Sequence, residues 1–312
     1  MRPDLFFYDF LPVAIGLFGL IVGSFLNVCI YRLPRNCLSI LAPSSHCTNC
    51  KYDIPWYDNI PVLSYLFLGG KCRQCGHRIS IQYPMIELLN AALYLGVYIS
   101  LLSSFRLVST FQISPHQPGL QTITFDLLTS TTFLVFWGEL LIRMVLLSAL
   151  VVISFIDMRF RIIPDVISLP GIGLAIIVGT LFPTHLEFYY LALPELESVS
   201  SLHLRGLLGS ALGVLVGGGL IYVIKVGGEI TFQKPSMGLG DVKFMAAVGG
   251  FLGWLSPLFV LVFASLAGSV YGIANLLLTD RHYLPFGPFL SAGAAALLFR
   301  PDLLPWVMNL YV

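Results

Sequence analysis

The stretch Leu11–Tyr31, LPVAIGLFGLIVGSFLNVCIY, is a run of 21 residues without a charged side chain. As an α-helix it would rise about 30 Å, which is the thickness of the hydrocarbon core of a bilayer. The run is too long for the apolar core of a signal peptide, and no small-residue cleavage site follows it. We therefore expect it to be a retained transmembrane helix.

The composition of the whole chain is typical of a membrane protein. Its 312 residues are 57% apolar and 11% charged, with a mean hydropathy of +0.86, whereas a soluble domain carries about 25% charged residues. The net charge of +1 gives no bulk electrostatic attraction to nucleic acid. Further apolar stretches cover residues 84–104, 133–156, 166–183, 206–226, 242–254, 256–278 and 285–300. Together with the first stretch they predict an all-α polytopic membrane protein with about eight transmembrane helices.

The distribution of basic residues predicts the orientation in the membrane. If the segment after the first span is inside, twelve of the seventeen Lys and Arg residues lie on the inner side, in agreement with the positive-inside rule. Both termini are then outside, and the polar segment 32–83 is cytoplasmic. The outer segment 105–130, which is rich in Ser, Thr and Gln, is expected to be an irregular linker. In the third span Arg143 follows Glu139 by four residues, so these side chains are expected to pair.

Four cysteines in the cytoplasmic segment have the spacing of a metal site. They form two C-x-x-C pairs, Cys47 with Cys50 and Cys72 with Cys75. Two tight turns of this kind complete a tetrahedral four-sulfur site, and a reducing cytoplasm disfavours disulfides, so we interpret the pairs as a structural Zn²⁺ site. The alternatives are four unrelated thiols or a redox pair. Cys29 and Cys37 are expected to be packing residues rather than ligands.

Two aspartates stand at the ends of apolar stretches, where an ionisable side chain is costly and therefore suggests a function. Asp157 ends the run Met144–Ile156, and Asp241 follows Gly238-Leu-Gly at the start of the stretch 242–254. In the predicted topology both lie at the same cytoplasmic depth. Two neighbouring carboxyl groups that hold one proton between them can act as general base and general acid in peptide hydrolysis, without a metal or a covalent intermediate.

Each aspartate also has a purely structural interpretation. Asp157 precedes the basic segment Arg159-Phe-Arg161 and would form an ion pair with it at the membrane edge. Asp241 has the position of a helix N-cap. Asp165, which follows a proline at the start of the fourth apolar stretch, is expected to be an N-cap as well.

Several motifs follow one another along nearly the whole chain. In order they are Gly23-Ser-Phe-Leu-Asn-Val-Cys-Ile-Tyr-Arg-Leu-Pro34, the two cysteine pairs around Trp56-Tyr-Asp-Asn-Ile-Pro61, Tyr83-Pro84 with Glu87, Asp157 with Ile163-Pro164-Asp165, Gly238-Leu-Gly-Asp-Val-Lys243, and Leu284-Pro-Phe-Gly-Pro288. In these motifs and in their order the chain resembles the bacterial type IV prepilin peptidases, which are both leader peptidases and N-methyltransferases.

The resemblance implies an intramembrane-type aspartic protease on a helical bundle, with Asp157 and Asp241 as the catalytic pair. It implies that the substrates are prepilins and pseudopilins of type IV pili or type II secretion, cut after short basic leaders on the cytoplasmic side of the bacterial inner membrane. It also implies that the new N-terminus is methylated from S-adenosylmethionine, in association with the zinc domain. The expected domains are a first transmembrane helix (1–31), a cytoplasmic zinc-binding domain (32–83) and a helical peptidase domain (84–312).

The sequence leaves other functions open. It has no glycine-rich loop of the dinucleotide-binding type, so it assigns no residues to S-adenosylmethionine. Archaeal preflagellin peptidases and presenilin-like proteases share the Gly-x-Gly-Asp element, but the cysteine domain argues against both. The remaining alternatives are a peptidase without methyl transfer, and a channel or scaffold with a zinc knuckle whose aspartates conduct ions or brace helices.

Overall fold

The computed structural model describes residues 10–35, 45–111, 131–183, 201–234, 237–279 and 285–300. Within these ranges the chain is helical, and its β-structure consists of two isolated bridges. The α-helices are α1 (Leu11–Arg32), α2 (Leu63–Phe67), α3 (Gln82–Phe111), α4 (Thr131–Phe160), α5 (Asp165–Leu181), α6 (Leu202–Phe232), α7 (Leu239–Leu252), α8 (Ser256–Thr279) and α9 (Gly287–Phe299). The chain divides into two compact units, Met1–Val152 and Ile153–Val312. The boundary between them falls within α4.

In the first unit the backbones of α1 and α3 are in direct contact. A Cβ atom added at Gly19 or Gly23 of α1 would lie 2.7 Å from a Cα atom of α3. One turn further along α1, Asn27 Nδ2 donates a hydrogen bond to a carbonyl of α3 at 3.1 Å. The residues of α3 that meet these three positions are Ala91, Glu87 and Tyr83, respectively. The contacts step by four residues in opposite directions, which defines an antiparallel pair with small residues at its interface.

Polar side chains inside the first unit bind one another. Asn90 Nδ2 donates to the Gly19 carbonyl at 2.9 Å, and its Oδ1 accepts from Ser148 Oγ at 3.3 Å. The Tyr94 hydroxyl lies 2.8 Å from the same Ser148 oxygen. Since an unpaired polar group is costly in hydrocarbon, this network holds α1, α3 and α4 together in one arrangement.

In the second unit α6 packs on α7 through glycines. A Cβ atom at Gly213 would overlap the carbonyl oxygen of Gly249, and a Cβ atom at Gly249 would overlap that of Gly213. Helix α5 packs against α6 in a similar way, because Gly206 lies against the carbonyl of Gly179. Only glycine permits contacts this close, so the relative positions of α5, α6 and α7 depend on these small residues.

Each of the eight apolar stretches lies on a helix. The expectation of an all-helical, polytopic membrane protein is therefore confirmed, without the exact number of spans. Among the described residues, five helical segments are long and apolar enough to cross a membrane: Leu11–Arg35, Gln82–Ser103, Leu134–Phe160, Leu202–Phe232 and Ser256–Leu278. The other three stretches lie on the shorter helices α5, α7 and α9. That all eight stretches cross the membrane stays a prediction.

Local expectations have mixed outcomes. The pair within α4 is confirmed, with Arg143 Nε 3.6 Å from Glu139 Oε2, and Cys29 is buried in α1 as expected. The expected start of the outer linker at residue 105 is wrong, because α3 continues to Phe111; the sequence has no glycine or proline there to end the helix. Residues 112–130 and Cys37 lie outside the described residues.

Replacing Gly213 by Ala should destabilise the protein, since the added methyl group would overlap the backbone of Gly249. Overpacking of this kind costs about 1–3 kcal/mol. The matched control is Gly219→Ala on the same helix, where no heavy atom lies within 4 Å of the added Cβ. The control should be neutral or slightly stabilising, because alanine has the higher helix propensity. Thermal unfolding in detergent measures the difference, and equal midpoints for the two variants would contradict the packing described above.

Candidate active site and metal site

The four predicted metal ligands lie on two turns that share one pattern of backbone hydrogen bonds. In the first turn the Lys51 N–H donates to the Cys47 carbonyl at 3.0 Å, and in the second the Gly76 N–H donates to the Cys72 carbonyl at 2.9 Å. Lys51 and Gly76 occupy the same place in the turn, and both have positive φ, 62° and 67°. An isolated bridge closes each turn, His46 with Asp53 and Lys71 with Arg78.

These turns bring the four sulfur atoms together. All four Sγ atoms lie within 4.8 Å of one another, with Cys47 Sγ 3.9 Å from Cys75 Sγ and Cys50 Sγ 4.0 Å from Cys72 Sγ. In a tetrahedral site with Zn–S bonds of about 2.3 Å, neighbouring sulfur atoms are about 3.8 Å apart. The donor set therefore fits one tetrahedral metal ion.

A charge pair joins the second cysteine turn to the segment between the turns. Arg73 Nε and Nη2 donate to the two carboxylate oxygens of Asp58 at 2.7 and 2.6 Å. The guanidinium lowers the pKa of the Asp58 carboxyl. Asp58 belongs to the 3-10 helix Trp56–Asn59, so this bidentate pair fixes that helix beside the metal site.

Asp157 lies near the end of α4 and is buried, with 7% of its surface exposed. Its Oδ2 accepts a hydrogen bond of 2.9 Å from the backbone N–H of Gly287, the first residue of α9. A Cβ atom at Gly287 would lie 2.7 Å from the same oxygen. The position therefore requires glycine, since a side chain there would push the backbone donor away from the carboxylate.

Asp241 is the third residue of α7 and is half-buried. The N–H of Gly238 donates to its Oδ2 at 3.2 Å, which closes the start of the helix as in a capping box. The N-cap is Gly238 and Asp241 is the third residue of the helix, so the prediction that Asp241 is the N-cap is wrong.

The pKa of Asp241 differs from that of an ordinary aspartate. Asp241 lies outside the five candidate spans. Burial, and to a smaller extent the charge of Asp157, raise the pKa of Asp241 to about 6.

The short connection from α4 to α5 touches the segment that carries Asp241 at two points. Arg161 donates its N–H to the Asp157 carbonyl at 2.9 Å and has a φ of 60°, so the chain reverses one turn after Asp157. Ile163 then lies against Gly240, where an added Cβ would be 3.0 Å from the Ile163 Cβ.

The second point of contact is a salt bridge. Lys243 Nζ lies 2.8 Å from both carboxylate oxygens of Asp165. Asp165 is therefore not the N-cap of α5, which is Pro164, and its carboxylate binds Lys243 instead. We call the Ile163–Gly240 and Asp165–Lys243 contacts the clamp. The clamp joins the connection that follows Asp157 to the start of α7, the helix that carries Asp241.

Sequence reasoning missed three of these features. Gly287 belongs to the motif Leu284–Pro288, which has no polar side chain to suggest a partner for Asp157. The Asp165–Lys243 pair joins residues 78 positions apart. Glu87 is buried and accepts a hydrogen bond from the N–H of Val62 at 2.7 Å. All three are contacts between segments far apart in the sequence, so no local sequence pattern predicts them.

Two protein families match the chain in succession. The bacterial peptidase A24 N-terminal domain matches residues 17–101, which include the four cysteines. The type IV leader peptidase family matches residues 144–273, which include Asp157 and Asp241.

Curated relatives match over nearly the full length. A prepilin leader peptidase/N-methyltransferase of Aeromonas salmonicida is 32% identical over 94% of this chain and 92% of its own. One of Bacillus subtilis is 32% identical over 89% of this chain and 90% of its own. A type 4 prepilin-like proteins leader peptide-processing enzyme of Escherichia coli O78:H11 is 30% identical over 93% and 94%. No solved structure matches the chain. Since both domains occur in order and relatives of this identity span almost all of it, the chain belongs to the type IV leader peptidase family.

Proposed function

We propose that the protein cleaves the leader peptides of prepilins and pseudopilins and then methylates the new N-terminus. The observation that carries the peptidase half is the pair of contacts, Ile163–Gly240 and Asp165–Lys243, that joins the segment after Asp157 to the start of the helix that carries Asp241. The relatives named as prepilin leader peptidase/N-methyltransferases support both halves.

The proposed peptidase chemistry uses the two carboxyl groups and one water molecule. The ionised carboxyl takes a proton from the water as its oxygen attacks the carbonyl carbon of the scissile peptide bond. The protonated carboxyl donates a hydrogen bond to the carbonyl oxygen, where negative charge develops, and a proton finally goes to the leaving amine. A pKa raised to about 6 for Asp241 brings its protonation toward the neutral range, which supports the division of roles between the two carboxyl groups.

The environment of each aspartate supports this role. The N–H of Gly287 orients the Asp157 carboxylate through one oxygen, and the N–H of Gly238 does the same for Asp241. The clamp holds the two segments in register, and a misplacement of about 1 Å would cost a large factor in rate. These contacts preorganise the pair before substrate arrives.

We further propose that the site faces the cytoplasm at the inner boundary of the bacterial plasma membrane. The basic residues in and around the segments that precede α5 and α7, Arg159, Arg161, Lys234 and Lys243, support this side. On this topology all eight apolar stretches cross the membrane, in an intramembrane-type aspartic protease with a catalytic pair at Asp157 and Asp241.

For the metal we propose Zn²⁺, held by Cys47, Cys50, Cys72 and Cys75 in the predicted domain 32–83. Their sulfur spacing supports tetrahedral coordination, which four thiolates give to zinc. Zinc would fold this small segment rather than take part in hydrolysis. S-adenosylmethionine is the methyl donor that we propose, and the described residues give no assignment of its site.

Replacing Asp157 or Asp241 by Asn should reduce leader cleavage by about 100- to 10,000-fold, because the amide keeps the shape but cannot exchange a proton. The measurement is cleavage of a purified prepilin in detergent or vesicles. Glu229→Gln, which changes a half-buried carboxylate of α6 that pairs with Lys225, is the control and should cleave normally. Near wild-type cleavage by both aspartate variants would favour the scaffold or channel alternative.

Replacing Cys72 by Ser should release the metal and reduce methylation more than cleavage, because the aspartate pair does not depend on the sulfur site for its proton chemistry. Mass spectrometry of one processed prepilin reports both the cleavage point and the methyl group, and metal content is measured on the purified protein. Cys29→Ala, which changes a buried thiol of α1 away from the two turns, is the matched control. Equal loss of methylation and cleavage would refute a separate role for the metal domain.

Breaking the Asp165–Lys243 bridge should lower the rate of cleavage by about tenfold while the melting temperature hardly changes. The pair is largely exposed, and exposed salt bridges contribute only about 0–1 kcal/mol to stability, whereas the rate depends on the spacing of the two carboxyl groups. The variants are Asp165→Asn, Lys243→Met and the charge swap Asp165→Lys with Lys243→Asp. Recovery of kcat in the swap would support a positioning role, and normal rates in both single variants would refute it.

A further inference from the structure

The segment between the two cysteine turns presents large apolar side chains to its surroundings. Trp56 is 80% exposed, and in the short helix α2 Leu66 is 66% and Phe67 is 86% exposed. Leu63 of the same helix is also exposed. We call Trp56, Leu63, Leu66 and Phe67 the apolar face. A cluster of this size on a small polar segment indicates an interaction surface.

Hydrogen bonds hold the apolar face in a defined shape. Ser64, buried within α2, accepts from the Ile60 N–H at 2.9 Å and donates to the Tyr57 carbonyl at 3.0 Å. The 3-10 helix that carries Trp56 is thereby tied to α2. The four apolar side chains therefore project from one fixed scaffold.

A contact with α3 fixes the position of this scaffold along the axis of that helix. The Val62 N–H, directly before α2, donates to Glu87 Oε2 at 2.7 Å. Glu87 is five residues past Gln82, where the candidate span begins. At a rise of 1.5 Å per residue, and with the side chain tilted toward the helix N-terminus, the Glu87 carboxylate lies about 5–8 Å inside the end of that span.

Two further observations indicate that the fold fixes the level of α2 along α3. Val62 has a φ of 61°, a conformation that a β-branched residue rarely adopts and that the bond to Glu87 helps to hold. Helix α1 packs directly on the backbone of Glu87 at Gly23. The start of α2 is thus attached to the first two spans at the level of Glu87.

Apolar side chains are also exposed around Glu87 at the start of α3. Met85 and Leu88 are exposed within two residues of Glu87, and Ile81 is exposed directly before the helix. Interfacial helices lie with their apolar side about 5–10 Å deep, at the boundary of headgroups and acyl chains. Trp56 and Tyr57 are the residue types enriched at that boundary.

We propose that the apolar face is inserted in the inner lipid interface, so that α2 anchors the cysteine turns to the membrane surface. Its partner is the lipid bilayer itself. The metal site is then held beside the membrane at a fixed height, instead of moving freely in the cytoplasm. This proposal does not depend on the proposed enzymatic function.

The first test uses the unmodified chain in vesicles of phosphatidylethanolamine and phosphatidylglycerol, with an apolar diazirine that labels protein from within the acyl region. Peptides from residues 56–67 should be labelled as strongly as those from residues 85–89, and peptides from residues 71–78 should remain essentially unlabelled. Labelling of residues 56–67 no stronger than that of residues 71–78 would overturn the proposal.

The second test places a single fluorescent reporter on the apolar face. The four tryptophans of the chain are replaced by Phe, and Phe67→Trp is added. In vesicles of acyl-brominated lipid its emission should be blue-shifted and strongly quenched, whereas a control with Gln74→Trp in the second cysteine turn should behave as in water. Water-like emission from Phe67→Trp, or equal quenching of the two reporters, would contradict the insertion of this face. Bound metal measured on both variants reports that the turns are folded.

Discussion

Helices in a bilayer gain little from burying apolar side chains against each other, because lipid is equally apolar; they associate where their backbones come close. The contact of α6 with α7 at Gly213 and Gly249 is of this kind. Asp241 is the third residue of the same α7, so the position of that carboxyl group depends on glycine contacts further along the helix. The proposed chemistry of this carboxyl group thus depends on close helix packing elsewhere in the second unit.

The two candidate sites are built by different physical means. The aspartate pair comes from the end of α4 and the start of α7, and the second unit holds it by helix packing, by the clamp and by the Gly287 N–H. The cysteine segment has few buried apolar residues, and its two turns instead bring four sulfur atoms together, where a metal ion would fit. Its large apolar side chains point outward, which is the opposite of a soluble core and agrees with a place at the lipid surface.

Much of the fold follows from the sequence, because the length and polarity of a transmembrane helix are set by the bilayer. The cysteine cluster also follows, since two C-x-x-C turns have the same local geometry wherever they occur. The partners of Asp157 and Asp165 do not follow, because Gly287 and Lys243 lie 130 and 78 positions away. For Asp165 the local pattern predicts a helix cap, and a distant lysine decides otherwise. The end of α3 is missed for a related reason, since a polar composition does not break a helix without glycine or proline.

The bond between Gly287 and Asp157 has a consequence for biosynthesis. The donor is one of the later residues of the 312-residue polypeptide, whereas the carboxylate that it orients is translated near the midpoint. While the ribosome is still adding the intervening segments, Asp157 is without this donor. The arrangement at Asp157 is thus completed only after Gly287 has been synthesised, so a half-inserted nascent chain has an incomplete candidate active site.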